Sequence, residues 1–146
     1  MDDRGGVLAW AAFVRTQAAV VRRLERELHE VTGLSLAWYD ALSELDAAPE
    51  RPLRMQQLSD RVVLSRSRVS RVVDELVRAG LARREPDPLD GRGRTAVITG
   101  QGRRRLREAE PVYLRGIAEH FTQHLTDEEV HLLRTAFERI LAAQSA

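Results

Sequence analysis

MQQLSDRVVLSRSRVSRVVDELVRAG, residues 55–80, holds two short amphipathic segments separated by a tight turn around Val63-Leu64. In the first, over about 55–62, Leu58 and Val62 lie four residues apart and share a helical face. Ser65 offers the short hydroxyl side chain of an N-cap, and the spacing predicts a second helix over about 66–79. Gly80 stands where a left-handed C-cap would end it. Val69, Val72, Val73 and Leu76 form one apolar stripe on this second helix. The opposite face carries Ser67, Ser70, Arg71 and Asp74 at spacings of three and four, with Arg66 and Arg68 in the first turn.

The polar face suits the major groove of duplex DNA. Serines permit close approach and donate to phosphates or base edges. An arginine can fork onto the O6 and N7 of guanine. The helix N-terminus adds its dipole and free N–H groups. The candidate contacts are Ser65, Arg66, Ser67, Arg68, Ser70 and Arg71. The plainer alternative is a solvated amphipathic helix, and the flanking elements argue against it.

Downstream, LARRE (81–85) and RTAVI (94–98) enclose the turn-rich PDPLDGRG, which reads as a β-hairpin. Its tip is Asp90-Gly91-Arg92-Gly93-Arg94. Arg92 and Arg94 are placed to enter a narrow minor groove, where the potential is most negative. Phosphate would repel Asp90, so its expected task is to orient an arginine. The plain alternative is an ordinary polar turn.

The flanks read as helices. One spans about 7–31, with Phe13, Val20, Leu24, Leu28 and Val31 near helical spacing, and ends at Gly33. Ser35 caps another over about 36–47, with Trp38, Leu42 and Leu45 on one stripe. Pro49 and Pro52 mark a break, and Leu53-Arg54 is a candidate short strand. Thr99 opens a helix over about 100–124, with a kink or break expected at Pro111. Thr126-Asp-Glu-Glu129 is a capping box for a last helix. Val130, Leu133, Phe137, Ile140 and Leu141 form the apolar stripe of that helix. The fold class expected is mainly α with a small β-hairpin: a winged helix-turn-helix over 50–99, with 7–48 and 100–143 mainly dimerisation helices, all in one domain spanning 1–146.

The net charge of +1 hides a strong asymmetry. The chain has no lysine, and residues 51–107 hold 15 arginines against 6 acidic residues, a net of +9. The remainder carries −8. A concentrated cationic segment between acidic flanks is the footprint of a phosphate-binding module. A general preference for arginine over lysine would not explain the clustering. Cysteine is absent, which excludes disulfides, thiolate zinc sites and thiol redox sensing. No signal-peptide pattern or membrane-length apolar run occurs, so a cytoplasmic, nucleoid-associated location is expected.

The run LSRSRVSRVVDELVRAGLARREPDPLDGRGRTAVITGQG, residues 64–102, resembles the MarR family of bacterial regulators. The resemblance lies in the recognition helix, the wing with its Asp90-x-Arg92 pair, and the T-x-x-G start of the next helix. It implies a transcriptional regulator, commonly a repressor, that binds a pseudo-palindromic operator as a homodimer. It also implies a small phenolic or aromatic carboxylate effector in a cleft between the dimerisation and DNA-binding parts. Leu133, Phe137, Ile140 and Leu141 are the expected dimerisation residues. Trp10, Phe13, His29, Trp38, Tyr39 and Tyr113 could line a pocket, although core packing is the more ordinary role for most of them. No cofactor is expected.

Other classes find less support. There is no phosphate-cradling glycine loop, cysteine nucleophile or Gly-x-Ser-x-Gly, so the chain does not read as an enzyme. His120 and His124 would share a helical face and, with His29, His131 or glutamates, could serve a zinc-responsive regulator. Chance spacing is the plainer account of two histidines, and no metal site is assigned. A winged helix used for protein contacts is the other alternative. The density of arginines on the second helix argues against it.

Overall fold

The computed structural model describes residues 3–48, 52–62, 64–87 and 94–145, with the side chain of Arg66 outside that description. The elements in chain order are α1 (Asp3–Thr32), α2 (Leu36–Asp46), β1 (Leu53–Arg54), α3 (Met55–Arg61), α4 (Arg66–Arg78), β2 (Ala82–Pro86), β3 (Arg94–Ile98), α5 (Gly100–His120) and α6 (Asp127–Gln144). A single 3-10 turn, Thr122–His124, lies between α5 and α6. The chain divides into two compact units, one of Glu27–Val112 and one of Met1–Arg26 with Tyr113–Ala146.

Local chemistry sets the boundaries in the first unit. Gly33 has φ +76° and ends α1, and Gly80 has φ +78° just after α4, a region open to glycine without strain. The Ser35 hydroxyl accepts the Trp38 N–H at 3.1 Å, and the Ser65 hydroxyl accepts that of Arg68 at 3.3 Å. Each cap satisfies one of the N–H groups that a helix start leaves over. The sheet has the order β1-β3-β2 and is antiparallel throughout. It is therefore three-stranded, with the Leu53-Arg54 candidate strand joining the expected hairpin. Leu53 pairs with Ala96, and β2 pairs with β3 from Ala82–Ile98 to Pro86–Arg94.

Leu28, Leu34, Leu42, Leu58, Val69, Val73 and Leu76 are the largest fully buried apolar side chains. They come from α1, the turn before α2, α2, α3 and α4, so the helix-turn-helix is built around one core. Helix α2 packs against α3, α4 and β3. Within the single chain α2 therefore packs with the helix-turn-helix. The reason is its apolar face: Tyr39, Ala41, Leu42 and Leu45 are all buried here.

The Thr99 hydroxyl donates to the Gly80 carbonyl at 2.7 Å and accepts the Gly102 N–H at 3.0 Å. This ties the end of α4 to the start of α5. At Gly102 a Cβ would collide with the Leu81 carbonyl oxygen and sit 2.8 Å from Ile98 Cγ1. The close approach of α5 to the sheet requires glycine at that position.

Of the kink or break expected in α5, no break occurs: the helix assignment runs through Pro111. The expected end of α5 needs correction. The helix stops at His120 and not near 124, where Phe121 leaves helical geometry with φ −131° and ψ −74°.

In the second unit, Trp10 stacks obliquely near Phe13 with centroids 5.9 Å apart, and Phe13 lies 5.2 Å from Phe137. The capping box at Thr126 and Glu129 forms as expected. Bonds from the Thr126 backbone N–H and from its side chain hold the Glu129 carboxyl below the usual carboxylate range. Much of this unit's apolar surface is uncovered in the single chain. Leu8, Trp10, Leu132 and Leu141 are each more than half exposed.

Candidate nucleic-acid interface

Helix α4 turns about 100° per residue, so residues 67, 71, 74 and 78 fall on one line along it. Ser67, Arg71, Asp74 and Arg78 are all exposed, and Val69, Val72, Val73 and Leu76 opposite them are buried. The outward line of the helix is therefore serine, arginine, aspartate, arginine. Ser65 and Arg68 are exposed beside it, and Ser70 is half-buried. Met55 joins Ser65, Ser67 and Ser70 around an open concavity of about 700 Å³ at the start of α4. Met55, on α3, adds an apolar side chain to that lining, a residue the sequence reading did not single out.

Both flanks of α4 are tied down. On one side the Trp38 indole N–H donates to Glu75 Oε2 at 2.7 Å. On the other, Arg84 of β2 reaches Asp74 Oδ1 at 2.8 Å and also points Nη2 at the Ser70 carbonyl and hydroxyl, at 3.3 and 3.4 Å. These ties hold the helix between α2 and the sheet. Asp74 was expected among the outward polar residues, and it is there, but its charge is already met by a cation.

The wing is anchored at its base. Arg54 Nε lies 2.6 Å from Asp87 Oδ2, and the Asp87 side chain is only 4% exposed. Arg83 pairs with Glu85 at 3.0 Å on the outer side of β2. Arg94 is exposed and belongs to strand β3, opposite Pro86, so it stands beside the tip rather than on it. Arg92 and Asp90 lie outside the described residues, as does the side chain of Arg66.

A cavity of about 440 Å³ opens between the end of α1, the start of α2 and α4. Its lining includes His29, Ser35, Trp38, Arg68, Arg71 and Glu75. His29 and Trp38 thus meet at one cavity, as two of the six candidate pocket residues. Tyr39 is instead a buried core residue, and Trp10 and Phe13 belong to the other unit. The two histidines of the zinc alternative are not on one helix. His120 ends α5 and His124 sits in the 3-10 turn, with its Nε2 3.1 Å from the Glu119 carbonyl, so the two do not share a helical face.

The sequence and the fold are similar to those of known regulators. Residues 32–93 match the model of the MarR family. Sco3205 from Streptomyces coelicolor, a MarR family transcriptional regulator solved in complex with DNA, is 30% identical, with 95% of this chain and 90% of that one covered and a TM-score of 0.85. The chain belongs to the MarR family. AbsC, another MarR family regulator from Streptomyces coelicolor, is 27% identical over 99% of this chain and 96% of its own, with a TM-score of 0.86. The HTH-type transcriptional regulator YkoM of Bacillus subtilis (strain 168) is 34% identical over 82 residues. That match spans 56% of this chain and about half, 53%, of YkoM. The MarR family is one of transcriptional regulators and not of enzymes. Among the described residues, no helix is long and apolar enough to cross a membrane.

Proposed function

We propose that this MarR family regulator is a sequence-specific repressor that binds a pseudo-palindromic operator as a homodimer. The observation that carries the reading is the outward line of α4, where Ser67, Arg71 and Arg78 stand exposed on a helix capped by Ser65 and fastened on both flanks. A recognition helix needs this combination of open polar tips and a fixed axis. That Sco3205 was solved with DNA supports the same use of the fold. The second copy is supported by the uncovered apolar surface of the terminal unit, where Leu132, Ile140 and Leu141 are 57%, 56% and 67% exposed. Large apolar side chains left exposed in this way suit an interface. Leu133 and Phe137 on the same helix are half-buried within the single chain.

Two-fold symmetry would set two recognition helices one DNA turn apart, ~34 Å. Footprinting on the promoter beside its own gene tests this. Two protected half-sites with centres about 10 base pairs apart are expected. Protection of a single half-site, or none, would refute the dimeric operator reading.

A small aromatic carboxylate is the effector we infer. The 440 Å³ cavity supports it, since Trp38 offers a flat apolar wall and Arg68 and Arg71 offer guanidinium groups suited to a carboxylate. Linkage requires operator DNA to weaken the binding of such a ligand by the factor with which the ligand weakens DNA binding. Calorimetry of salicylate with and without saturating operator measures this. An unchanged affinity in a protein that salicylate releases from DNA would contradict it.

A further inference from the structure

The outward line of α4 contains an anion that a DNA-binding surface should not carry. Asp74 lies between Arg71 and Arg78, and its side chain is 54% exposed. A carboxylate there would face the phosphate backbone and the acceptor edges of the bases, and both repel it. The structure meets that charge from the wing side. Arg84 Nη2 is 2.8 Å from Asp74 Oδ1, and the Arg84 side chain is only 25% exposed. The same nitrogen points at the Ser70 carbonyl and at the Ser70 hydroxyl oxygen. Donation from Arg84 leaves the hydroxyl hydrogen of Ser70 free to donate to DNA.

The guanidinium is a poor choice for stability alone. Its Nε is buried and has no hydrogen-bond partner among the described residues, a desolvation cost that a well-packed apolar side chain would avoid. The strand register puts Arg84 opposite Ala96. It is two residues on from the buried Ala82, and so on the inner face of β2. An inward arginine that leaves a donor unmet, yet spends another on the recognition helix, points to a task at that helix.

We infer that Arg84 is a positioning residue for DNA recognition: it neutralises Asp74 on the DNA-facing line of α4 and sets Ser70 as an outward donor. Arg84 itself does not touch DNA. The inference rests on the DNA-binding reading above. It names a role for the first wing strand that is separate from the wing tip.

The test is a mutant cycle on the full-length protein, read by fluorescence anisotropy on an operator duplex. Wild-type binding is established first, so that a failure of DNA binding altogether would be separable from a failure of this inference. Arg84→Ala exposes the Asp74 charge and should weaken binding by about tenfold or more. Asp74→Asn alone should leave affinity within about threefold of wild type. The double variant, Arg84→Ala with Asp74→Asn, should recover most of the loss, because the repelling charge is gone.

Three results would overturn the inference. If Arg84 touched a phosphate, Arg84→Ala would lower the slope of affinity against salt by about one and Asp74→Asn would not rescue it. If Asp74 read a cytosine amino group, Asp74→Asn alone would change the preferred operator. If the pair were structural glue, Asp74→Asn would lower both the melting midpoint and the affinity as far as Arg84→Ala does. Thermal melts of the three variants, run alongside, separate this last case from the predicted rescue.

Discussion

Replacing Gly102 with alanine should destabilise the protein, against the usual effect of that change in a helix. Gly102 is the third residue of α5, and alanine is favoured over glycine in a helix by up to about 1 kcal/mol. The structure reverses the sign. An added Cβ would press into the Leu81 carbonyl oxygen and lie 2.8 Å from Ile98 Cγ1. Leu81 and Ile98 are 3% and 4% exposed and cannot move aside without disturbing the core. Overpacking of this kind costs about 1–3 kcal/mol. Even against the full helix gain, the net loss should reach about 2 kcal/mol, because the clash is with backbone and a buried side chain. Gly5 is an internal control, since it is also the third residue of its helix and a Cβ there meets nothing within 4 Å. Gly5→Ala should be neutral or stabilising, by up to about 1 kcal/mol. Urea unfolding followed by circular dichroism measures both. If Gly102→Ala proved as stable as wild type, the close packing of α5 on the β2–β3 sheet would be wrong. The junction bonded through Thr99 would then lose its role in holding the wing strands.

Two more predictions follow from the placement of individual side chains. Arg71→Ala should weaken operator binding by about 1–3 kcal/mol and relax base preference, because Arg71 lies on the outward line. Arg68→Ala, about 60° round the helix from Arg71 and off the outward line, should cost less and leave base preference intact; a panel of operator variants separates the two, and equal effects would contradict the geometry. Truncation before Thr126 removes α6, and with it the partner of Phe13 and much of the exposed apolar surface, so light scattering should show monomer or aggregate. An intact dimer after truncation would place the interface elsewhere.

The sequence and the structure agree wherever one residue type has one local use. Ser35, Ser65 and Thr126 cap helices, Gly33 and Gly80 take positive φ, and the valines of α4 face inward, all as their spacing implies. Agreement fails where a residue's role depends on an element distant in the chain. The spacing of Leu42 and Leu45 does not say which elements α2 packs against. The end of α5 was overrun because His120, Thr122 and His124 carry no stop signal. The ties made by Arg84 and Trp38 to α4 join residues 10 and 37 positions away from their partners. One of these was open to a closer reading. Counting by twos from the apolar Ala82 puts Arg84 on the inner face of its strand, where a charge needs a partner, and Asp74 is an acid on the helix just before it. For the Trp38 tie the spacing holds no comparable clue.

The central claim is that a cationic winged helix-turn-helix reads a specific duplex. It is tested most directly by titrating the protein against its promoter fragment and a scrambled duplex of equal length across a range of salt. The account predicts tighter binding to the promoter fragment by about 10³-fold or more at physiological salt. It also predicts a steep linear fall of log affinity with log salt, with a slope set by the number of phosphates met. Equal binding to both duplexes, or an affinity that does not respond to salt, would contradict it.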